Sequence, residues 1–199
     1  MKEAMQAVNI PDWYIQSCER VQYLFPKAHA VAYVLMAYRI AYCKVHHPKH
    51  FYASYFTVRA TDFDYTHVSK GSHYIKNFIK SVYQQGFRAS VQDKSIATYL
   101  ELANEMIERG YEFEKVDLYK SHPTKFLITE KGLRPPLASL AGVGNNAALS
   151  IAEARDVNNP FISREDLRQR AGIGKAVIER LADVGVLDDL PESNQIDLF

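Results

Sequence analysis

The feature that most restricts the fold is an internal repeat in the last third of the 199-residue chain. The segment LASLAGVGNNAALSIAEAR, residues 137–155, is echoed by LRQRAGIGKAVIERLADVG, residues 167–185, with the two Gly-x-Gly turns 30 positions apart. Glycine has no Cβ and lets the backbone turn tightly between helical segments. Each copy is therefore predicted to form a helix, a tight turn and a second helix. Ser163, followed three residues later by Asp166, predicts a capped start for the second copy.

The repeated turn suits an anionic ligand. The free N–H groups that open a helix after such a turn form an anion site, and two hairpins can hold duplex phosphates without reading bases. The pattern resembles the helix-hairpin-helix motif, which in tandem forms duplex-binding domains. The alternative is that the glycines only end helices, but the repeat favours binding. The candidate DNA-binding residues are Gly142, Val143, Gly144, Asn145 and Asn146 in the first copy and Gly172, Ile173, Gly174 and Lys175 in the second.

Net charge alone does not explain DNA binding by this region. The chain carries a net charge of +1, and residues 137–190 hold six basic against eight acidic side chains. A polyanion must therefore be bound through local geometry. The second copy also departs from the first, with Arg170 in place of Leu140, which leaves its packing open.

The remaining pattern predicts a mainly α fold with a small β element. A helix is predicted from Pro26 to about His47, where Pro48 stops it, and its nearly continuous apolar character predicts burial. Further helices are predicted over residues 50–58, 74–85 and 93–109, with a polar linker around ATDFDYTHVSKGS. YEFEKVDLY and KFLIT alternate like strands, and KGLRPP follows as a breaker. A domain boundary is expected near residues 111–120.

Lys27 and His29 lie in the first turn of the long apolar helix. Together with the free N–H groups and the positive end of the helix dipole, they can form an anion pocket. The alternative is a lysine extended to solvent and a histidine bonded to a carbonyl. The residues alone favour that alternative.

Two groups of side chains suggest metals, and both are rejected. Asp62 and Asp64 form a D-x-D pattern that is common in solvated linkers. Pro48 interrupts the helix that would align a second group with zinc-like spacing. That group is Cys43, His46, His47 and His50. No metal site is predicted in this chain.

Several segments carry a resemblance to a known family. They are NIPDWYIQSC, YLFPKAHAVAYVLMAYRIAYCKVHHPKHFYASYFTVRATDFDY, ERGYEFEKVDLYKSHPTKFLI, LRPPLASLAGVGNNAALSIAEAR and NQIDLF. In this order they resemble the C-terminal part of the PolC-type alpha subunit of bacterial DNA polymerase III, a family C polymerase. The likeness covers nearly the whole chain and is weakest between residues 66 and 95.

The resemblance implies three parts. Residues 1–115 are expected to form a helical fingers segment, in which Lys27 and His29 contact the incoming deoxynucleoside triphosphate. Residues 116–190 are expected to bind the primer-template duplex through the two hairpins. Residues 191–199 are expected to be a tail that docks on the sliding clamp. Its clamp-binding residues are Gln195, Ile196, Leu198 and Phe199.

The same resemblance limits what the chain can do by itself. In this family the catalytic aspartates and their Mg²⁺ lie in a palm that precedes the fingers, so we expect a fragment with no catalytic residue, no bound cofactor and no activity alone. Its partners would include the palm and thumb of the parent, a DNA-directed DNA polymerase. The alternative is a free-standing, non-enzymatic adaptor between DNA and the clamp. A continuous polymerase reading frame upstream would decide for the fragment.

The sequence favours a reducing cytoplasm. Cys18 and Cys43 are too few for a disulfide framework, and no signal-peptide pattern opens the chain. The most apolar window, residues 28–43, is shorter than the roughly 20 residues of a spanning helix and contains Arg39. No membrane segment is predicted.

Overall fold

The computed structural model describes residues 2–20 and 27–193. The chain divides into two compact units, Met1–Val45 and His46–Phe199. The first unit contains α1 (Lys2–Ala7), α2 (Asp12–Arg20) and all but the last residue of α3 (Lys27–His46).

Helix α3 has the predicted extent but not the predicted burial. None of its residues is buried, and its large apolar side chains, among them Val34 and Tyr38, are mostly more than half exposed. The prediction of a buried helix is therefore wrong for this chain. Burial requires an apolar surface to pack against, and among the described residues of this unit Ile15 alone is buried.

The second unit is helical around a small sheet, as predicted. A 3₁₀ turn joins α6 to α7, and another precedes α8. The helices are α4 (Pro48–Val58), α5 (Tyr65–Val68), α6 (Gly71–Gln85), α7 (Val91–Glu108), α8 (Asn145–Ala154), α9 (Arg164–Ala171) and α10 (Lys175–Asp183), and the 3₁₀ turns are Gly86–Arg88 and Leu137–Ser139. Pro48 occupies the first turn of α4, where its missing N–H leaves no bond unmade.

The stretch predicted as a polar linker contains α5. Asp64 is its N-cap, and its Oδ1 accepts the Thr66 N–H at 2.9 Å. Asp62 Oδ2 accepts the Ser95 hydroxyl at 2.6 Å, which ties the stretch to α7. Phe63 between them is buried. The two carboxylates therefore organise local structure, and the linker prediction is wrong for this segment.

The sheet has three short strands, β1 (Glu112–Phe113), β2 (Leu127–Ile128) and β3 (Gly132–Arg134), in the order β1-β3-β2. β3 is parallel to β1 and antiparallel to β2. The central strand thus lies in KGLRPP, which was predicted to be a breaker. Gly132 is needed there because a Cβ would overlap the backbone of Glu112. The prolines of the segment follow the strand and end it.

One hydrophobic cluster fills most of the second unit. It runs from α4 and α7 through the sheet into the repeated hairpins. Its fully buried members include Tyr52, Phe56, Leu100, Met106, Leu133, Leu140, Ile151, Leu167, Leu181 and Leu187. The core therefore continues across residues 111–120, and the functional division between residues 115 and 116 stays a prediction.

No helix within residues 2–20 and 27–193 is long and apolar enough to span a bilayer.

Candidate nucleic-acid interface

The two hairpins share one pattern of burial. In each loop an exposed glycine is followed by a buried aliphatic residue, Val143 or Ile173. The second glycine and the next two residues are exposed again. The buried side chain anchors the loop in the core and leaves its exposed edge facing outward. The helices after the loops are α8 and α10, as predicted.

The lead-ins to the two loops differ. The second hairpin begins with α9, whereas the first begins with the single 3₁₀ turn Leu137–Ser139. The expected helix before the loop is therefore confirmed for the second copy only. Pro136 sets the start of the 3₁₀ turn, and Leu140 returns to extended backbone with φ −89° and ψ 124°, which ends the turn before a helix can form.

The first glycine of each loop is required by the backbone. Gly142 has φ +85° and Gly172 has φ +62°, a region that L-residues with a Cβ rarely adopt. Local hydrogen bonds fix these turns: Val143 N–H donates to Leu140 O at 2.9 Å and Ile173 N–H to Arg168 O at 3.2 Å. These two glycines are explained by the fold itself.

The second glycine of each loop is not required by the fold. Gly144 has φ −68° and ψ 160°, and Gly174 has φ −75° and ψ 159°, which any residue adopts. A Cβ added at either position would meet nothing within 4 Å. Neither conformation nor packing therefore requires glycine here, whereas close approach of an external ligand to the backbone would.

Both second glycines are N-caps of the helices that follow. Neither supplies a side-chain hydrogen bond to its helix, and the first N–H groups of a helix have no intrahelical acceptor. Asn145 and Asn146 at the start of α8 are exposed, as is Lys175 at the start of α10. The Lys175 ammonium lies 3.5 Å from the Glu179 carboxylate one turn on. Each helix therefore presents amide donors and polar side chains at its positive end.

Two arginines of the second copy link it to neighbouring backbone. Arg180 Nε donates to Ala141 O of the first loop at 2.9 Å. Arg170 Nη2 donates to Ala154 O and Asn159 O, both at 3.0 Å, and its guanidinium lies 4.5 Å from the centre of the Phe161 ring. These contacts show how the second copy packs with Arg170 in the place of Leu140.

Sequence reasoning did not assign these arginines a role. The available signal was the imperfection of the repeat, because Arg170 and Arg180 stand where the first copy has Leu140 and Ser150. A repeat that departs from itself at internal positions indicates contacts that only one copy makes.

The predicted cap of the second hairpin is confirmed. Ser163 Oγ accepts the Asp166 N–H at 3.0 Å, and Asp166 Oδ2 accepts the Ile162 N–H at 3.2 Å. The side chain of each residue thus satisfies a backbone donor near the start of α9, as in a capping box. The cap fixes where the second hairpin begins.

A turn centred on His122 supports the first hairpin. His122 Nδ1 accepts the N–H groups of Thr124 and Lys125, both at 3.0 Å, and its carbonyl accepts the Leu137 N–H at 3.1 Å. Burial lowers the pKa of His122, and the positive charges of Lys125 and Arg155 lower it further. The turn therefore requires the neutral imidazole, because a protonated Nδ1 cannot accept these bonds.

The predicted nucleotide residues lie in the first unit, whereas the hairpins lie in the second. Lys27 and His29 are both exposed in the first turn of α3, and the His29 ring lies 4.5 Å from the Tyr33 ring, centre to centre. Pro26 lies outside the described residues. The nucleotide role of Lys27 and His29 stays a prediction.

The remaining site predictions concern the tail and metals. The predicted clamp-binding residues lie outside the described residues. Among residues 2–20 and 27–193, no group of three or more His, Cys, Asp or Glu side chains is placed to hold a metal ion. The clamp-binding residues concerned are Gln195, Ile196, Leu198 and Phe199.

Comparison with known sequences first defines the class of the hairpin region. Residues 110–196 match the family described as the helix-hairpin-helix motif. The match includes both Gly-x-Gly loops and confirms the motif resemblance drawn from the repeat.

Comparison with curated proteins then identifies the larger relatives. The chain is 55% identical over 197 residues to the DNA polymerase III PolC-type of Halalkalibacterium halodurans. It is 51% identical to those of Listeria innocua, over 199 residues, and Bacillus subtilis, over 198. These alignments cover 99 to 100% of the chain but 14% of each relative. The chain therefore corresponds over its full length to a segment of PolC-type DNA polymerase III.

Proposed function

We propose that the two hairpins bind the sugar-phosphate backbone of the primer-template duplex for a replicative DNA polymerase. The observation that carries this proposal is the contrast within each loop: the first glycine is required by its positive φ, and the second is not required by the fold. Glycine at an unstrained, exposed position directly before a helix lets a phosphate reach the backbone amides.

The proposed binding is independent of base sequence. Backbone amides at Gly144 and Gly174 can recognise phosphate but carry no donor pattern that distinguishes bases. Because acidic side chains outnumber basic ones in residues 137–190, attraction comes from the helix ends rather than from the charge of the whole surface. We therefore expect weak, salt-sensitive affinity for duplex DNA.

The test is the double variant Gly144→Val with Gly174→Val in the 199-residue chain. A side chain at these positions meets no protein atom within 4 Å but blocks the approach of phosphate, so duplex binding should be lost while the helical circular dichroism is retained. The measurement is fluorescence anisotropy with a labelled duplex at several salt concentrations.

The matched control is Leu149→Val with Gln169→Val, which places valines at exposed helical positions of α8 and α9 outside the Gly-x-Gly loops. This control should bind duplex like the parent chain. Unchanged duplex affinity in the glycine double variant would mean that the loops are only structural turns.

We further propose that Lys27 and His29 contact the triphosphate of the incoming nucleotide. Both side chains are exposed at the positive end of α3. In the full-length polymerase, Lys27→Ala should raise the KM for deoxynucleotide roughly tenfold or more, since a charge-assisted contact is worth about 1.5 to 3 kcal/mol.

A control for this substitution lies on the same helix. Lys44→Ala removes a lysine 17 positions further along α3, about 25 Å away, and should leave the KM unchanged. Equal KM values for the Lys27→Ala and parent enzymes would remove Lys27 from the nucleotide site.

The exposed apolar surface of α3 is proposed to be covered by the palm and thumb of the parent. The chain spans about 14% of its relatives, so most of a polymerase is available to cover this helix. An isolated adaptor would leave these side chains in water, where a large apolar patch promotes association. This favours the polymerase fragment over the adaptor, and the free, exposed Cys18 and Cys43 suit a reducing cytoplasm.

Catalysis is proposed to require Mg²⁺-binding carboxylates that lie in the palm. Asp62 and Asp64 serve as hydrogen-bond acceptors for Ser95 and for the start of α5. The purified chain should therefore extend no primer in the presence of Mg²⁺. If the purified chain did incorporate nucleotides, and the double variant Asp62→Asn with Asp64→Asn did not, the assignment of catalysis to the palm would be contradicted.

The tail is proposed to dock on the sliding clamp. The motif NQIDLF ends with Leu198 and Phe199 after a polar stretch, and burying two such side chains contributes roughly 1.5 to 3 kcal/mol each before the ordering cost. A peptide with this sequence should bind the cognate clamp in calorimetry, and the same peptide with Leu198→Ala and Phe199→Ala should not. Absence of saturable binding at millimolar peptide would exclude the anchor.

A further inference from the structure

Basic side chains outnumber acidic ones in residues 66–100 of the second unit. Residues 66–100 hold five Lys or Arg against one acidic side chain, Asp93, in a chain whose net charge is +1. The Asp93 carboxylate accepts the Ser90 hydroxyl at 2.6 Å at the start of α7. The segment forms α5, α6, the 3₁₀ turn Gly86–Arg88 and the first part of α7.

Within residues 2–20 and 27–193, the basic side chains at the tip of the α6–α7 hairpin make no ion pair. Lys80, Arg88 and Lys94 are exposed and have no acidic partner within the described part of the chain. By contrast, Lys76, further from the tip, pairs with Glu108 at 2.7 Å. The three tip cations are thus available to an external anion.

A fully exposed aromatic side chain, Phe87, lies at the same tip, directly before Arg88 in the chain. Phe87 sits in the 3₁₀ turn after Gly86, whose φ of +55° reverses the chain. Beneath the turn is a small buried cluster of Val82, Ala89 and Ala97. The tip therefore has its own core, and Phe87 is not used in it.

Phe87 forms one edge of a groove of about 330 Å³, which we name the tip groove. Val82 and Ala97 also line it, and both are buried. Tyr83 and Lys94 line it as well, and the Tyr83 hydroxyl donates to the Glu101 carboxylate, which fixes the ring. The groove combines apolar and aromatic walls with a free ammonium group.

We propose that the tip groove binds single-stranded nucleic acid, with a base against Phe87, one phosphate at Lys94 in the groove and the next at Arg88, which follows Phe87 in the chain. An exposed aromatic ring next to unpaired cations is the combination that single-strand binding uses, because every base offers a π-face and every nucleotide a phosphate. A duplex does not fit, since its base faces are stacked and inaccessible. The site shares no residue with the hairpins.

The affinity test uses the 199-residue chain with Gly144→Val and Gly174→Val, so that the hairpins do not contribute, and a fluorescein-labelled oligothymidylate. Adding Phe87→Ala to this background should weaken oligothymidylate binding at least fivefold, since stacking of one base is worth about 1 to 3 kcal/mol by alanine substitution. Val91→Ala is the matched control, because Val91 is 86% exposed in the same hairpin but does not line the groove. It should bind like the background chain.

Two further measurements separate stacking from charge. Arg88→Ala with Lys94→Ala should reduce the salt slope of log affinity by about 1.4, for two lost phosphate contacts on a single strand. Phe87→Trp, made with Trp13→Phe so that it is the one tryptophan, should be quenched by oligothymidylate but not by an abasic oligonucleotide of equal length.

Equal affinity of the Phe87→Ala and background chains, or equal quenching by the abasic strand, would overturn the proposal. If Phe87→Ala instead leaves oligonucleotide binding intact and weakens association with the remainder of the polymerase, the groove is a protein contact and the proposal is wrong.

Discussion

The first and second hairpins share one loop geometry but differ in the segments that precede the loop. Both loops pair a glycine of positive φ with a second glycine of extended conformation, and both bury the residue between them. The first is preceded by a 3₁₀ turn and packs Leu140 into the core, whereas the second is preceded by α9 and uses Arg170. The same loop geometry therefore forms after two different lead-in segments. This is expected if the loop itself contacts a ligand.

The largest loss of stability is expected at Leu140, which the second copy replaces with Arg170. Leu140 is buried in the main core, so Leu140→Ala should lower the free energy of unfolding by about 2 to 5 kcal/mol. Urea denaturation followed by circular dichroism measures this. Leu149→Ala, at an exposed position of α8, should change stability by no more than about 0.5 kcal/mol. A small effect of Leu140→Ala would mean that the first hairpin is not anchored through this side chain.

Replacing Arg170, the counterpart of Leu140 in the second hairpin, should lower the free energy of unfolding by less. Arg170→Met keeps an apolar stem but removes the donors to Ala154 O and Asn159 O. Because the arginine side chain is 27% exposed, water can replace part of what is lost, and we expect a loss of about 2 kcal/mol. The same denaturation experiment applies. A decrease in the free energy of unfolding as large as that of Leu140→Ala would show that Arg170 stabilises the second hairpin as much as Leu140 stabilises the first.

Alanine at the loop glycines should separate their roles. Gly142→Ala and Gly172→Ala should each cost about 1 to 2 kcal/mol because of positive φ. The cost should be greater at Gly142, where a Cβ lies 3.2 Å from Arg180 Cγ. Gly144→Ala should change stability by no more than about 0.5 kcal/mol and still weaken duplex binding. Equal destabilisation at all three positions would contradict the division into structural and ligand-facing glycines.

The smallest expected effect is a pH dependence confined to the first hairpin. Burial lowers the folded-state pKa of His122 below its ordinary 6.5, so the folded form binds fewer protons than the unfolded form. The contribution of His122 to stability is therefore complete above pH 6.5 and is lost as the pH falls through the lowered pKa. Hydrogen exchange, corrected for the intrinsic pH dependence of amide exchange, should show residues 137–150 losing protection on acidification before residues 164–180 do.

His122→Asn supplies the control for the pH experiment. An asparagine side chain can accept backbone N–H groups in a turn but does not titrate in this range. The variant should show no difference between the two hairpins on acidification. A difference that persists in His122→Asn would assign it to another group.

The parts that sequence could predict are those determined by local chemistry. The Gly-x-Gly turns, the Ser163 cap and the helix after each loop follow from glycine conformation and short-range hydrogen bonds, and all are present. The helix boundaries near Pro48 and Gly110 were predicted for the same reason, and the structure confirms them. The resemblance to PolC-type polymerases, carried by long matching segments, is confirmed by the relatives.

The parts that sequence could not predict depend on contacts between distant residues. KGLRPP has the composition of a breaker, and only pairing with β1 and β2 makes Gly132–Arg134 a strand. The composition of α3 predicts burial but cannot show whether the covering surface lies within the chain. Arg170 and Arg180 act through carbonyls of other segments, which no local pattern encodes.

The position of β3 between β2 and β1 has a consequence for the order of folding. β2 and β3 are joined by the three residues 129–131, so their antiparallel pairing closes a very short loop. The parallel pairing of β3 with β1 must enclose the 18 residues 114–131. Because the entropic cost of closure rises with loop length and non-local pairings form slowly, the β2–β3 hairpin should form early and β1 should dock late. Docking of β1 then brings the end of α7 to the sheet, so the contact between α7 and the sheet should be among the last parts of the core to form.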